Sequence, residues 1–360
     1  MSLWDRLFPT VDTLGPPAVL PQIEAWTDNS HLYDVVLGDL GVAGTDWPLG
    51  RRGAMRVPSV ARARNLTCGS IAALPLVAMR AGDPLTDQPY WMYGTDGQLG
   101  DLTTDQQMKW SLTPQTPWHR MLWTIDDHLF YGESLWYSTR VDADGRPMRA
   151  VRVPFDSWHV EEGRVLDADN DPIPADRLIY LPGPNEGILD FGRDTIRAAY
   201  DLEHTAADVA RRPFRLELHQ TSAAELTGEE RRTLVAEVRA ALADNDGVLF
   251  TNSAIETKTH ALDSADLLIG GRNAAALDVA RLASMPAAML DATAEGSSLE
   301  YQTIQGRNQQ WLDYGLDLYV EAVASRLSMD DILPAGQRAV FDTSDWTAPD
   351  AAPTGYPRQD

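Results

Sequence analysis

The chain has 360 residues, 44% of them hydrophobic, and carries 53 acidic against 30 basic residues for a net charge of −23. Its length allows two or three domains with a real core, and its charge excludes a protein that grips nucleic acid through phosphates, where affinity comes from Lys and Arg displacing counterions. The single cysteine, Cys68, excludes an internal disulfide and a cysteine-based zinc site, and it reads as a small buried apolar residue. No apolar run approaches the roughly 20 residues that span a bilayer. The opening Met-Ser-Leu-Trp-Asp lacks the basic start and apolar run of a signal peptide, so a cytoplasm-like compartment is expected.

Residues 1–50 are rich in Pro, Gly and Asp and read as an extended arm or a poorly ordered segment. Val60, Ala63, Leu66, Ile71 and Leu74 recur at roughly helical spacing. They predict a helix over 58–73, opened by Pro58 or Ser59 and stopped by Pro75, with a strand over 76–80. A second helix opens at Pro117, runs through Trp118, Met121, Leu122, Ile125 and Leu129, and ends at Gly132. A hairpin follows, with 134–139 alternating, 142–145 turning and 149–154 returning; further strands are expected over 157–160 and 177–181. The chain to about Pro184 is therefore mixed α and β.

The second half changes character. A helix is predicted over 190–212, with Ile196, Ala199, Tyr200, Ala206 and Val209 as its apolar positions and Pro213 as its end. Residues 215–220 alternate like a strand. A helix over 226–243 opens with Thr227 and Glu230 at capping-box spacing. One or two strands are expected in 247–260, and a helix over 263–283 interrupted by Gly270-Gly271. After Pro286 and a small polar loop over 292–298, one helix of about thirty residues runs to Leu327, long for a compact domain. Leu299, Ile304, Trp311, Leu312, Leu316, Tyr319, Val320 and Val323 are its expected packing positions. Gln305, Asn308, Gln309 and Asp313 are expected to be exposed or at subunit contacts. An acidic tail follows from Ser328.

Candidate chemistry is sparse. Gly132-Glu133-Ser134 has one glycine of a nucleophile elbow, and its helix-then-strand order is the reverse of that motif. Asp126, Asp127 and His128 are adjacent on a helix and point in different directions, which favours a solvated face over a convergent site. Asp167, Asp169 and Asp171 resemble part of a calcium loop but lack its central glycine and distal Glu, so a polar turn is expected. No glycine run carries a phosphate cradle or dinucleotide fingerprint, and the histidines have no ligand spacing. No catalytic, cofactor-binding or metal-binding residue is therefore assigned.

The order of elements carries a resemblance. Val57-Pro58-Ser59-Val60-Ala61-Arg62-Ala63-Arg64-Asn65-Leu66 leading to Leu74-Pro75-Leu76 is similar to the opening helix and "LPL" strand of the phage portal family, in the branch with the HK97 type of capsid. His128-Leu129-Phe130-Tyr131-Gly132-Glu133-Ser134-Leu135-Trp136 resembles its next conserved segment. Asp278-Val279-Ala280-Arg281-Leu282-Ala283-Ser284-Met285-Pro286 followed by Gly296-Ser297-Ser298-Leu299-Glu300 resembles the turn into its long helix, without the family's Asn before Glu300. The resemblance covers roughly 55–330.

The resemblance implies an α+β portal fold and a structural role without enzyme activity or cofactor. An N-terminal arm (1–50) precedes a mixed α/β wing (51–189), and stem helices (190–212 and 261–285) flank a small α/β clip (213–260). A tunnel loop (286–298), a long wing helix (299–327) and a short tail or reduced crown (328–360) complete it. It further implies a dodecameric ring, a head–tail connector at one capsid vertex through which double-stranded DNA is packaged and ejected. Its partners would be further copies of itself, the terminase large subunit, a head–tail adaptor and the major capsid protein, with no membrane. It would be found in the virion, and in host cytoplasm during assembly. The loop residues expected to face DNA are Asp291, Thr293, Glu295, Gly296, Ser297 and Ser298; the clip contacts are Arg215, Glu217, Glu229, Arg231, Arg232 and Arg239. A closed ring needs two different complementary patches on each subunit, and an acidic channel wall would repel phosphates within about 8 Å. The alternatives are a head–tail adaptor or another capsid-associated protein without a channel, and a hydrolase using Ser134 or Asp127.

Overall fold

A computed structural model of the chain describes residues 49–211, 214–220, 227–244, 255–261, 265–292 and 309–344. It divides into two compact units at Tyr200/Asp201 and at Arg272/Asn273. The chain leaves the larger unit within one helix and returns within another.

In the larger unit a short helix α1 (Arg51–Ala54) leads to α2 (Pro58–Ala72), which starts on Pro58, where the missing N–H costs nothing. Of the expected stripe, Val60, Ala63, Ile71 and Leu74 are buried and Leu66 is half-buried, while Thr67 and Cys68 join the buried face. Strand β1 (Leu76–Arg80) pairs antiparallel with the two-residue β2 (Asp83–Pro84). Short helices α3 (Tyr90–Tyr93) and α4 (Thr104–Lys109) follow, the latter opened by a Thr103/Gln106 capping box. Helix α5 (Pro117–Tyr131) is capped by Thr116 and stopped by Gly132 at φ +79°.

Strand β3 (Glu133–Val141) lies between β4 (Pro147–Val153) and β7 (Leu178–Pro182), antiparallel to both. Its central place explains seven successive buried residues where one-sided alternation was expected. Leu135 and Tyr137 face a smaller core with Val151, Val153 and Trp158; Trp136 faces the main core with Phe130 and Ile179. Strands β5 (Trp158–Glu161) and β6 (Arg164–Asp167) form a hairpin turned by Glu162 and Gly163, both at positive φ; β6 was not foreseen.

The helix expected over 190–212 is two pieces, α6 (Ile188–Phe191) and α7 (Arg193–Arg211), separated by Gly192. A side chain there would lie 2.8 Å from both Ile188 O and a methyl of Leu282, so only glycine fits. In the smaller unit β8 (Phe214–Gln220) pairs antiparallel with β9 (Ile255–Ala261), and α8 (Gly228–Asp244) lies between them in sequence. Helix α9 (Ala265–Leu282) runs uninterrupted through Gly270-Gly271, against expectation. Gly271 is close to Leu202, and Arg272 pairs with Glu203 at 2.9 Å, so the glycine serves helix–helix approach rather than a break.

The long helix is described from Gln309. Trp311, Leu316, Tyr319, Val320 and Val323 are buried, Leu312 is half-buried, and Gln309 and Asp313 are exposed, as expected; Leu299, Ile304, Gln305 and Asn308 lie outside the described residues. Residues Leu312–Leu316 form a π-helical turn before α10 (Asp317–Leu327). There Gly315 meets the end of α9, and a Cβ on it would lie 2.5 Å from Ser284 O. Beyond α10, strand β10 (Gln337–Phe341) pairs with β1, so the tail contributes to the first sheet.

Side chains bond backbone groups that strand pairing leaves open. On β4 the amide of Gln115 acts as a neighbouring strand, accepting from Arg152 N at 2.9 Å and donating to Arg152 O at 3.0 Å. Gln88 does the same for Ala78 of β1 at 2.7 and 3.0 Å. Ser328 Oγ accepts from Ala339 N of β10 at 2.9 Å, and Arg326 Nε donates to Tyr180 O of β7 at 2.9 Å. The Arg120 guanidinium is buried without a carboxylate. It donates to Ala150 O of β4 and Trp91 O, both at 2.5 Å, and stacks 4.4 Å from Trp136; burial lowers its pKa to about 9.

Candidate functional site

The foot of the candidate loop is built by two successive helix stops. Helix α9 ends with Ser284 in the left-handed region, and Met285 N reaches back to Ala280 O at 2.9 Å. Pro286 then starts a 3-10 turn over Ala287–Leu290. Asp291 is left-handed at φ 57°, Ala292 N donates to Ala287 O at 3.1 Å, and Asp291 N donates to Ala288 O at 3.3 Å. This is the bond pattern of a helix terminus whose left-handed position usually holds glycine. Leu290 and Ala292 are buried on either side of Asp291.

Asp291 itself is exposed and ion-paired. Arg62 of α2 lies 2.9 Å from its Oδ2, and Arg62 Nε donates to Met289 O at 2.5 Å. The carboxylate expected to repel phosphates is thus partnered by a guanidinium. Thr293, Glu295, Gly296, Ser297 and Ser298 lie outside the described residues. Sequence reasoning passed over Arg62. A signal existed: residues 50–82 of this acidic chain hold Arg51, Arg52, Arg56, Arg62, Arg64 and Arg80 and no carboxylate.

The candidate docking residues fall in the smaller unit. Arg215 and Glu217 are on β8, opposite His260 and Lys258 of β9. Glu229, Arg231 and Arg232 are exposed on α8, and Arg239 is in its last third. Thr227 opens α8 as expected: its N donates to Glu230 Oε2 at 2.8 Å, and its Oγ1 accepts from Glu230 N at 3.4 Å. The Thr227 N–H, and the Thr227 hydroxyl donating to the same oxygen at 2.8 Å, hold the Glu230 carboxyl below its usual pKa.

Asp126, Asp127 and His128, expected on a solvated face, are buried. The reason is pairing that the sequence does not display. Asp126 takes both nitrogens of an Arg51 fork at 2.6 and 2.8 Å and Arg64 Nε at 2.5 Å. Asp127 takes Arg152 Nε at 2.7 Å and Nη2 at 2.5 Å. All three guanidiniums lie about the Trp123 ring, at 4.9, 5.2 and 5.5 Å from its centroid. Ser134 Oγ donates to Asp127 Oδ2 at 2.7 Å, while His128 Nε2 bonds Leu181 O at 3.0 Å. The serine is therefore held by a salt-bridged carboxylate, and the imidazole is engaged elsewhere. Burial pushes Asp127 up to about 6 against Arg152 and lowers His128 to about 4. A neutral histidine bonded to the backbone does not activate this serine.

The Asp167 carboxylate accepts from Asp169 N at 3.0 Å, Asp171 N at 2.9 Å and Trp110 Nε1 at 3.2 Å, with Lys109 beside it. It is a polar turn with its acceptors engaged. Among the described residues no group of three or more His, Cys, Asp or Glu is placed to hold a metal ion, and no helix is long and apolar enough to cross a membrane.

A family model described as "Phage portal protein" matches residues 58–353. An HK97-family phage portal protein from Corynebacterium diphtheriae is 32% identical, with a TM-score of 0.69 over 85% of this chain and 99% of that one. The neck of an empty gene transfer agent particle is 15% identical, with a TM-score of 0.50 over 86% of this chain and 88% of that one, a likeness of fold. No curated protein matches the chain.

Proposed function

Because the chain belongs to the phage portal protein family, a structural and non-enzymatic one, we propose that it forms a closed dodecameric ring at one capsid vertex through which double-stranded DNA is packaged and ejected. The observation that carries this reading is the likeness to a solved portal protein across 85% of the chain. In this reading 51–189 is the wing, 190–212 and 261–285 the stem helices, 213–260 the clip and 286–298 the tunnel loop. The separate compactness of 201–272 supports a clip that is its own folding unit, inserted in the sequence of the larger one. The clip docks the terminase large subunit and then a head–tail adaptor, and the wing meets the major capsid protein. The ring assembles in host cytoplasm and ends in the virion.

The net charge of −23 supports a conduit rather than a clamp. Each phosphate contact made by a basic side chain adds affinity that would resist sliding. Rotational averaging of the purified particle viewed end-on tests the proposal: a closed ring with twelvefold symmetry and an axial opening is expected. A monomer, or a closed assembly without an opening, would leave an adaptor as the reading.

A further inference from the structure

We propose that Arg62 is the positioning residue for the foot of the tunnel loop, clamping the helix stop over 286–292 to the wing helix α2. The proposal rests on the channel reading above and deepens it. Asp291 occupies a left-handed position at φ 57°, where glycine is the least strained residue. Aspartate there accepts the strain and gains a partner, Arg62, at 2.9 Å. The same guanidinium binds the preceding turn through Met289 O at 2.5 Å. One side chain therefore holds both the last turn before the loop and the residue at which the chain changes direction. Leu290 and Ala292, buried on either side, leave Asp291 as the outward-facing member of the foot. Lysine cannot reproduce the clamp, because a point charge lacks the planar fork that serves a carbonyl and a carboxylate together.

The test uses assembled rings of the full chain carrying Arg62→Gln, Asp291→Asn, both together, Arg62→Lys or Asp291→Gly. Amide hydrogen exchange across 286–292 and the rate of DNA packaging are measured, with ring symmetry as the control for folding. Each single neutral variant is expected to exchange roughly two- to fivefold faster at Asp291 and Ala292, the range of an exposed ion pair, and to package at least twofold more slowly. The double variant should be no worse than the worse single, as for two halves of one contact, and Arg62→Lys should be intermediate. Asp291→Gly relieves the backbone strain as it removes the carboxylate, and its comparison with Asp291→Asn reads the turn alone. Additive singles overturn the clamp itself. Coupled exchange with unchanged packaging overturns the inference through the channel reading on which it rests.

Discussion

Replacing Asp126 with Ala removes the one carboxylate that serves both Arg51 and Arg64. The Asp126 side chain is 1% exposed, Arg64 11% and Arg51 26%. Losing one partner of a buried pair costs about 3–5 kcal/mol, because the remaining charge is left uncompensated. Arg51 can turn partly to solvent, which places the expected loss at the lower end, about 3 kcal/mol. The network already holds three guanidiniums against Asp126 and Asp127, so the variant gathers three cations about Trp123 with a single anion. Urea unfolding at fixed protomer concentration is the assay. With a slope of about 3 kcal/mol per molar, the midpoint should fall by about 1 M. The difference from wild type should persist from 0.1 to 1 M salt, since buried pairs are poorly screened. Asp126→Asn, which keeps shape but not charge, should lose nearly as much. A midpoint within about 0.2 M of wild type would falsify the reading that burial of these charges depends on Asp126.

Four further outcomes are expected. Gly132→Ala would put a Cβ 2.6 Å from Asn185 O at φ +79°, so a loss above about 2 kcal/mol in the same urea assay is expected from strain and clash together. Burial raises Glu133 to about 7 against its Tyr180 hydrogen bond. The folded state then holds a proton that the unfolded chain releases above pH 4.5, so stability should fall as pH rises from about 4.5 to 7, by on the order of 3 kcal/mol. Glu133→Gln should flatten that slope when midpoints are measured across this range. Gln115→Leu leaves Arg152 N and O of the β4 edge without their partner, and should cost about 1–3 kcal/mol with more light scattering on storage. Glu295→Lys should leave ring assembly intact and slow packaging most at low salt, measured against wild type at two ionic strengths.

Local features were readable where one residue type acts alone. Pro58 and Pro117 at helix starts, Gly132 at a helix end, the Thr227–Glu230 box and the Trp311–Val323 stripe stand as expected because caps and amphipathic periods are encoded within a few residues. What was hidden depends on distant partners. Strand β10 has no reason to exist until β1 is beside it, and Asp126 looks like surface until Arg51 and Arg64 arrive from other helices. Gly192 and Gly271 show the same ambiguity: one separates two helices and the other lies within one, according to what packs against each. Of the candidate site, the sequence singles out Asp291 by its place between a proline-broken helix and the long helix. Its arginine is not singled out, since 229 positions separate the two in sequence.

Gln115 and Ser328, which occupy the edges of β4 and β10, bear on how copies of the chain would associate. Backbone-to-backbone addition along a sheet has no natural end: each new strand offers the next edge, and the product is a fibre. With Arg152 of β4 and Ala339 of β10 already bonded to side chains, that route of growth is blocked at these positions. Association is left to faces whose shape sets a rotation angle between neighbours, and an angle can close where a translation cannot. For the ring proposed above, such covered edges would keep free copies from polymerising before a turn is complete.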